Sequence, residues 1–163
     1  MLPAAAGDPR ARLLRWLAQR DRSEREMRER LRQWGVEGSR IEALIQELAA
    51  RGLVDDRALA ARICDWTCRH DPQGPRRLRL LLARRGIPHD LAEEALAPYA
   101  DLERQDELAQ QWLARRLPAL QGLAPAVRAR RVNAALSRRG FAASLVMKIT
   151  RSLLTEPPAQ DGD

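Results

Sequence analysis

Two adjacent carboxylates and two closely spaced thiols are the side chains of this 163-residue chain whose types and spacing could do chemistry. Asp55 and Asp56 could form an acid/base or metal site, because paired carboxylates shift one another's pKa. The same pair, however, follows a glycine and directly precedes a segment with helical apolar periodicity. Either aspartate could cap that helix and favour the positive end of its dipole, and we favour this structural role.

Cys64 and Cys68 stand one helical turn apart and could begin a metal site. His70 would lie on a different helical face from either thiol, and His89 lies beyond Gly74, Pro75 and Pro88. We therefore expect two small, semi-buried cysteines, no bound metal and no cofactor. Since two thiols cannot form a disulfide framework, a reducing, cytoplasmic setting is expected.

The motifs of common enzyme classes do not occur in the sequence. It has no Walker phosphate loop, no G-x-G-x-x-G after a strand, no HExxH and no nucleophile elbow. No stretch approaches 18 apolar residues, and the first ten residues lack a signal-peptide core. These patterns predict a cytoplasmic binding protein and not an enzyme.

The composition favours helices and a polyanionic partner. The chain is 45% hydrophobic but only 4% aromatic, which argues against a β-sandwich or barrel. It carries 29 basic and 22 acidic residues, a formal charge of +7, and Lys148 is its one lysine. Such a surface attracts nucleic acid or acidic protein.

The elements that would position these residues are short helices with a repeated ending. Ser23 and Glu26 form an S-x-x-E capping box at one helix start. A leucine four residues before a glycine, with an apolar residue directly after it, predicts a helix end in which the glycine is left-handed. The predicted helix-ending glycines are Gly35, Gly52, Gly86 and Gly140.

Three of those glycines, Gly35, Gly86 and Gly140, lie 51 and 54 residues apart and predict an internal repeat. The predicted fold class is all-α, with three tandem three-helix modules in an elongated, curved helical-repeat array. The boundaries that we predict are a flexible leader at 1–8, modules at 9–52, 53–98 and 99–155, and a disordered tail at 156–163.

Arginines recur at fixed offsets before two of the repeat glycines. At 100° per residue most of them point away from the apolar face of their helix. Residues 108–155 contain nine basic residues and no acidic one. The alternative interpretation is an ordinary solvated surface in an arginine-rich chain. We predict instead that these arginines form a contact surface for phosphates or for carboxylates of a protein partner. Its members are Arg76, Arg77, Arg84, Arg85, Arg130, Arg131, Arg138 and Arg139.

The four tryptophans could stack on single-stranded bases or pack between helices. Trp16, Trp66 and Trp112 fall in comparable positions of successive modules, which favours packing. Trp34 directly precedes Gly35 and is the tryptophan that we expect to be exposed.

Several of these segments resemble the bacterial RecX family. Residues 52–60 (GLVDDRALA) are similar to its Gly-x-x-Asp-Asp signature, with Leu53 and Leu59 where aromatics are commoner. Residues 74–87 look like its second signature, and residues 138–141 look like the end of its third module. The resemblance covers roughly residues 10–154.

This resemblance implies a regulator that binds the RecA recombinase, occupies the groove of its filament on DNA, and inhibits ATP hydrolysis and strand exchange in recombination and the SOS response. We expect a monomer that contacts DNA through the filament or weakly and non-specifically. The family supplies no catalytic residues. A helix-turn-helix-like DNA-binding regulator that acts without a recombinase, and a protein-only scaffold, remain alternatives from the residues themselves.

Overall fold

The computed structural model describes residues 7–155, and within them the chain forms nine α-helices, one 3₁₀ helix and no strand. The predicted all-α fold class is confirmed. The predicted tail and all but two residues of the predicted leader lie outside the described residues. The helices are α1 (Pro9–Leu17), α2 (Glu24–Gln33), α3 (Gly38–Ala50), α4 (Asp56–His70), α5 (Pro75–Arg84), α6 (His89–Ala100), α7 (Leu102–Arg116), the 3₁₀ helix (Leu117–Leu120), α8 (Pro125–Arg138) and α9 (Ala143–Thr155).

The described residues divide into two compact units, and the boundary between them cuts through α4, α5 and α6. The first unit holds residues up to Ile63 together with Leu81–Ala95, and the second holds Cys64–Leu80 and the residues from Leu96 onward. No helix between residues 7 and 155 has the length and apolar character needed to cross a bilayer.

Each unit has a core of apolar side chains spaced at three and four residues along its helices. In the first unit the core consists of Leu13, Met27, Leu31, Ile41, Leu44, Ile45, Leu48 and Val54. In the second unit the buried side chains include Leu108, Trp112, Val132, Leu136, Phe141, Leu145, Val146 and Ile149.

The helix-ending glycines share one backbone geometry. Gly35, Gly52, Gly86 and Gly140 have φ values of 76°, 68°, 75° and 79°. At the end of α2 the Val36 amide donates to the Leu31 carbonyl at 3.1 Å, and the Gly35 amide donates to Arg32 at 2.9 Å. The same pair of bonds closes the other three helices, so each ends in a Schellman motif.

Two of these helix ends contact the start of a helix that comes earlier in the chain. In the second unit the amides of Gly74 and Arg76, at the start of α5, donate to the carbonyls of Arg139 and Gly140 at 2.9 and 3.3 Å. The free amides of one helix start thereby satisfy the free carbonyls of another helix end. A Cβ on Gly74 would lie 2.3 Å from the Gly140 oxygen, so this contact needs glycine.

The first unit repeats the arrangement one module earlier. Ser23 forms the predicted capping box of α2 with Glu26, and its hydroxyl also donates to the Arg85 carbonyl at 2.5 Å. The side chain of Arg25 lies against Gly86, where a Cβ would be 2.6 Å from its Cδ. The start of α2 therefore lies on the end of α5 as the start of α5 lies on the end of α8.

The two aspartates at the start of α4 cap different helices. Asp55 accepts from the Ala58 amide at 2.9 Å and so caps α4, as the sequence indicates. Asp56 instead accepts from the amide of Glu24, at the start of α2, at 3.0 Å. The prediction that Asp56 caps α4 is therefore wrong, because its carboxylate is turned toward the start of α2.

Burial of Asp56 makes the stability of the chain depend on pH. The residue is only 7% exposed, and burial raises the pKa of its carboxyl, although the Glu24 amide opposes the rise. A raised folded-state pKa means that the folded chain binds the proton more tightly than the unfolded chain does. Ionisation of Asp56 therefore lowers stability as the pH rises from about 4, the unfolded value, through the raised pKa.

We expect Asp56→Asn to be more stable than Asp56→Ala, because the amide oxygen of asparagine can still accept from Glu24. Alanine should cost about 1–3 kcal/mol, since it leaves that amide without an acceptor. Relative to the wild type, the asparagine variant should also gain stability as the pH rises through the carboxyl's pKa. Urea unfolding over a pH series measures both effects, and equal losses in the two variants would contradict this role of Asp56.

Candidate anion-binding site

A groove on the second unit brings together arginines that are far apart in the sequence. It encloses about 770 Å³ and lies between α7, the 3₁₀ helix, α8, the start of α5 and the segment before α5. Five arginines and one aspartate line it, so its side chains carry an excess of positive charge. We call this site the arginine groove; its lining is Asp71, Gln73, Arg77, Trp112, Arg116, Ala119, Leu120, Arg131, Ala135, Arg138 and Arg139.

Helix geometry explains why α8 supplies two of these arginines. Arg131 and Arg138 are seven residues, or two turns, apart and therefore share one face, with the small Ala135 between them. Arg130 is exposed but is rotated by 100°, and it does not line the groove. The small side chain between the two guanidinium groups leaves room for a ligand.

The contact between α5 and α8 places Arg77 beside them. Because the start of α5 is bonded to the Arg139 and Gly140 carbonyls, the next residues of α5 lie over the end of α8. Arg77 then lines the groove, whereas the exposed Arg76 does not. In each of the adjacent pairs Arg76/Arg77 and Arg130/Arg131, the second arginine therefore lines the groove and the first does not.

One arginine of the groove is neutralised and the other four are not. Arg139 pairs with Asp71 at 2.6 Å, donates to the Pro72 carbonyl at 3.1 Å and lies over the Trp112 ring at 5.1 Å. No carboxylate among residues 7–155 forms an ion pair with the rest, which are Arg77, Arg116, Arg131 and Arg138. Unpaired guanidinium groups in one concave site focus a positive potential and can grip phosphate or carboxylate oxygens in pairs.

Trp112, which lines the groove, carries an unsatisfied donor. Trp112 is 7% exposed, and its indole Nε1–H has no acceptor among the described residues. A fully buried donor without an acceptor is costly, so this indole N–H is a local unfavourable contribution to the stability of the unit.

The structure brings together four of the eight arginines predicted as a contact surface: Arg77, Arg131, Arg138 and Arg139. Arg76 and Arg130 lie outside the groove, and Arg84 and Arg85 belong to the other compact unit. Arg85 is half-buried there, donating to the Asp21 carbonyl at 2.9 Å and pairing with Glu26 at 3.3 Å. Arg84 is exposed.

Sequence reasoning missed Arg116, Trp112 and Asp71 as members of the site. Arg116 ends α7 and stands at none of the offsets shared by the repeats. The signal that could have found it is the run of residues 108–155 without acidic side chains, because Arg116 lies within it.

Two of the four tryptophans are placed differently from the prediction, whereas Trp16 and Trp112 are packed as expected. The expectation that Trp66 packs between helices is wrong, because its side chain is 64% exposed. Trp34, expected to be exposed, is half-buried, with the Arg12 guanidinium 4.1 Å above its ring. Trp16 is covered in the same way by Arg22 at 4.1 Å. The arginines that cover these rings were not evident from the sequence.

The cysteines are buried and their environment disfavours the thiolate. Burial raises the pKa of Cys64 to about 12, and it also raises that of Cys68. Among residues 7–155, no three His, Cys, Asp or Glu side chains are grouped so that they could hold a metal ion.

Comparison with known proteins identifies similar sequences and folds. Family models described as the first and second three-helix domains of RecX match residues 10–48 and 55–96. The regulatory protein RecX of Prosthecochloris aestuarii is 31% identical over 146 residues, covering 88% of this chain and 92% of its own length. The regulatory protein RecX of Amycolatopsis mediterranei is 31% identical over 147 residues, covering 88% and 82%.

Solved structures share the fold. The crystal structure of RecX from Lactobacillus salivarius matches with a TM-score of 0.77 and 21% identity, over 89% of this chain and 94% of that one. A second crystal structure, of a regulatory protein RecX, matches with a TM-score of 0.73 and 24% identity, over 88% and 70%. At these identities the likeness concerns the fold alone.

Proposed function

The chain belongs to the RecX family, and we propose that it binds a RecA-type recombinase filament on DNA and inhibits the filament's ATP hydrolysis and strand exchange. The observation that assigns this binding to particular residues is the arginine groove. Four of its guanidinium groups lack a carboxylate partner among the described residues. A nucleoprotein filament presents phosphates and acidic side chains, and both are ligands that such a groove can grip.

The proposed mode of action is stoichiometric binding without catalysis. The groove offers charge and shape, and its side chains comprise no nucleophile paired with a base. The protein would therefore act as a cytoplasmic regulator that changes the filament by occupying it. We further propose that residues 99–155 act as a third three-helix module, which supplies most of the groove.

The test is to add the purified chain to a RecA-type recombinase on single-stranded DNA and to follow ATP hydrolysis. We expect hydrolysis and strand exchange to fall as the chain approaches the amount of recombinase. If both rates are unchanged at stoichiometric amounts, the proposed function is wrong. A footprint on a defined operator without recombinase, at physiological salt, would instead favour a helix-turn-helix-like regulator.

A further inference from the structure

Trp66 on α4 is the most exposed large hydrophobic side chain among the described residues, at 64%. Its ring stacks on that of His70, with the centroids 4.5 Å apart and the planes 25° from parallel. Exposing so much of an indole to water is unfavourable, because tryptophan has a large apolar surface. The free face of this pair therefore has the character of a binding surface.

The pair is held in place before any ligand arrives. His70 lies one turn after Trp66, and its Nδ1 is 2.8 Å from the Trp66 carbonyl oxygen. Arg115 donates to the carbonyls of His70 and Arg69 at 2.9 and 3.2 Å and so fixes the end of α4. A surface that is already ordered loses little entropy when it binds.

The stacked pair lies close to the arginine groove along the same stretch of chain. His70 is followed directly by Asp71, which lines the groove and pairs with Arg139. Trp66 precedes Asp71 by five residues, about 8 Å along a helix axis. Flat aromatic rings and unpaired arginines are the two components with which proteins bind single strands.

We propose that Trp66 and His70 stack on an unpaired base of a single-stranded nucleic acid whose phosphates lie in the arginine groove. A single strand offers both a free base face and a flexible backbone, whereas a duplex keeps its base faces inside the stack. An acidic protein segment could pair with the arginines, but its carboxylates would make no stacking contact with the exposed rings. The single strand is therefore the ligand that uses both surfaces.

This inference rests on the groove assigned in the proposed function and adds a direct contact with the strand. It is tested without a recombinase, by binding the 163-residue chain to a short oligothymidylate and to an abasic strand of the same length. Absence of binding to oligothymidylate would overturn the stacking proposal alone. The proposed function would be judged separately from ATP hydrolysis by the recombinase.

We expect Trp66→Ala to lower the affinity for oligothymidylate by roughly 5- to 150-fold and to leave the affinity for the abasic strand unchanged. Trp66→Phe should retain most of the affinity, because a phenyl ring still stacks. The matched control is Met147→Ala on α9, which removes a side chain that is 59% exposed and should affect neither strand. Unchanged binding of oligothymidylate by Trp66→Ala, or an equal loss on both strands, would overturn the proposal.

Discussion

The Gly140→Ala variant should lose about 2–5 kcal/mol of the free energy of unfolding, a larger loss than we expect from Asp56→Ala or Gly35→Ala. Gly140 has a φ of 79°, a left-handed conformation that costs an L-residue about 1–2 kcal/mol. The added Cβ would also lie 2.4 Å from the backbone nitrogen of Arg77 and 2.9 Å from its Cβ. Neither atom can move without separating α5 from α8, so overpacking adds about 1–3 kcal/mol.

Gly35→Ala is the matched control, because it has the same backbone conformation without the close contact. Its φ is 76°, and a Cβ there would meet no atom within 4 Å. Only the conformational cost of about 1–2 kcal/mol should remain. Urea unfolding followed by circular dichroism compares the two variants, and equal losses would show that the α5–α8 contact adds nothing.

The Arg77→Glu/Arg131→Glu double variant should bind the recombinase filament at least about tenfold more weakly, with a flatter dependence on salt. Both side chains line the arginine groove, and neither has a carboxylate partner among the described residues. Removing two contacts to phosphate should reduce the slope of log affinity against log salt by about two. Binding measured at several salt concentrations gives the affinity and the slope together.

The structure offers a closely matched control for this charge reversal. Arg76 and Arg130 directly precede Arg77 and Arg131 on the same two helices, and both are exposed outside the groove. The Arg76→Glu/Arg130→Glu variant therefore has the same net charge and the same helix propensities. Circular dichroism establishes that both variants stay helical. A salt slope for Arg77→Glu/Arg131→Glu that equals or exceeds that of its control would contradict the assigned contacts.

The parts of the fold that the sequence predicts are those with local causes. A Schellman ending involves only the last turn of a helix and the two residues after it, so Leu31, Gly35 and Val36 are sufficient to recognise one. The capping box of Ser23 and Glu26 is equally local. Nothing local shows that the Ser23 hydroxyl also reaches the Arg85 carbonyl, 62 residues away.

The membership of the candidate site depends on contacts between distant segments. The offsets from the repeat glycines identified both Arg130 and Arg131, but the rotation of α8 against α7 and α5 admits only Arg131 to the groove. Arg85 shares its offset with Arg139, yet it faces Glu26 and lies in the other unit. Trp66 shows the same limit, because its place in the module did not reveal that no helix covers it.

The central claim is that this chain inhibits the recombinase through the arginine groove. The most direct test of this claim compares the inhibitory concentrations of two variants. The amount of each double variant that halves ATP hydrolysis by a RecA-type recombinase on single-stranded DNA is measured beside the wild type. We expect Arg76→Glu/Arg130→Glu to inhibit nearly as well as the wild type, and Arg77→Glu/Arg131→Glu to require at least about tenfold more protein. Equal inhibitory concentrations for the two variants would contradict the claim.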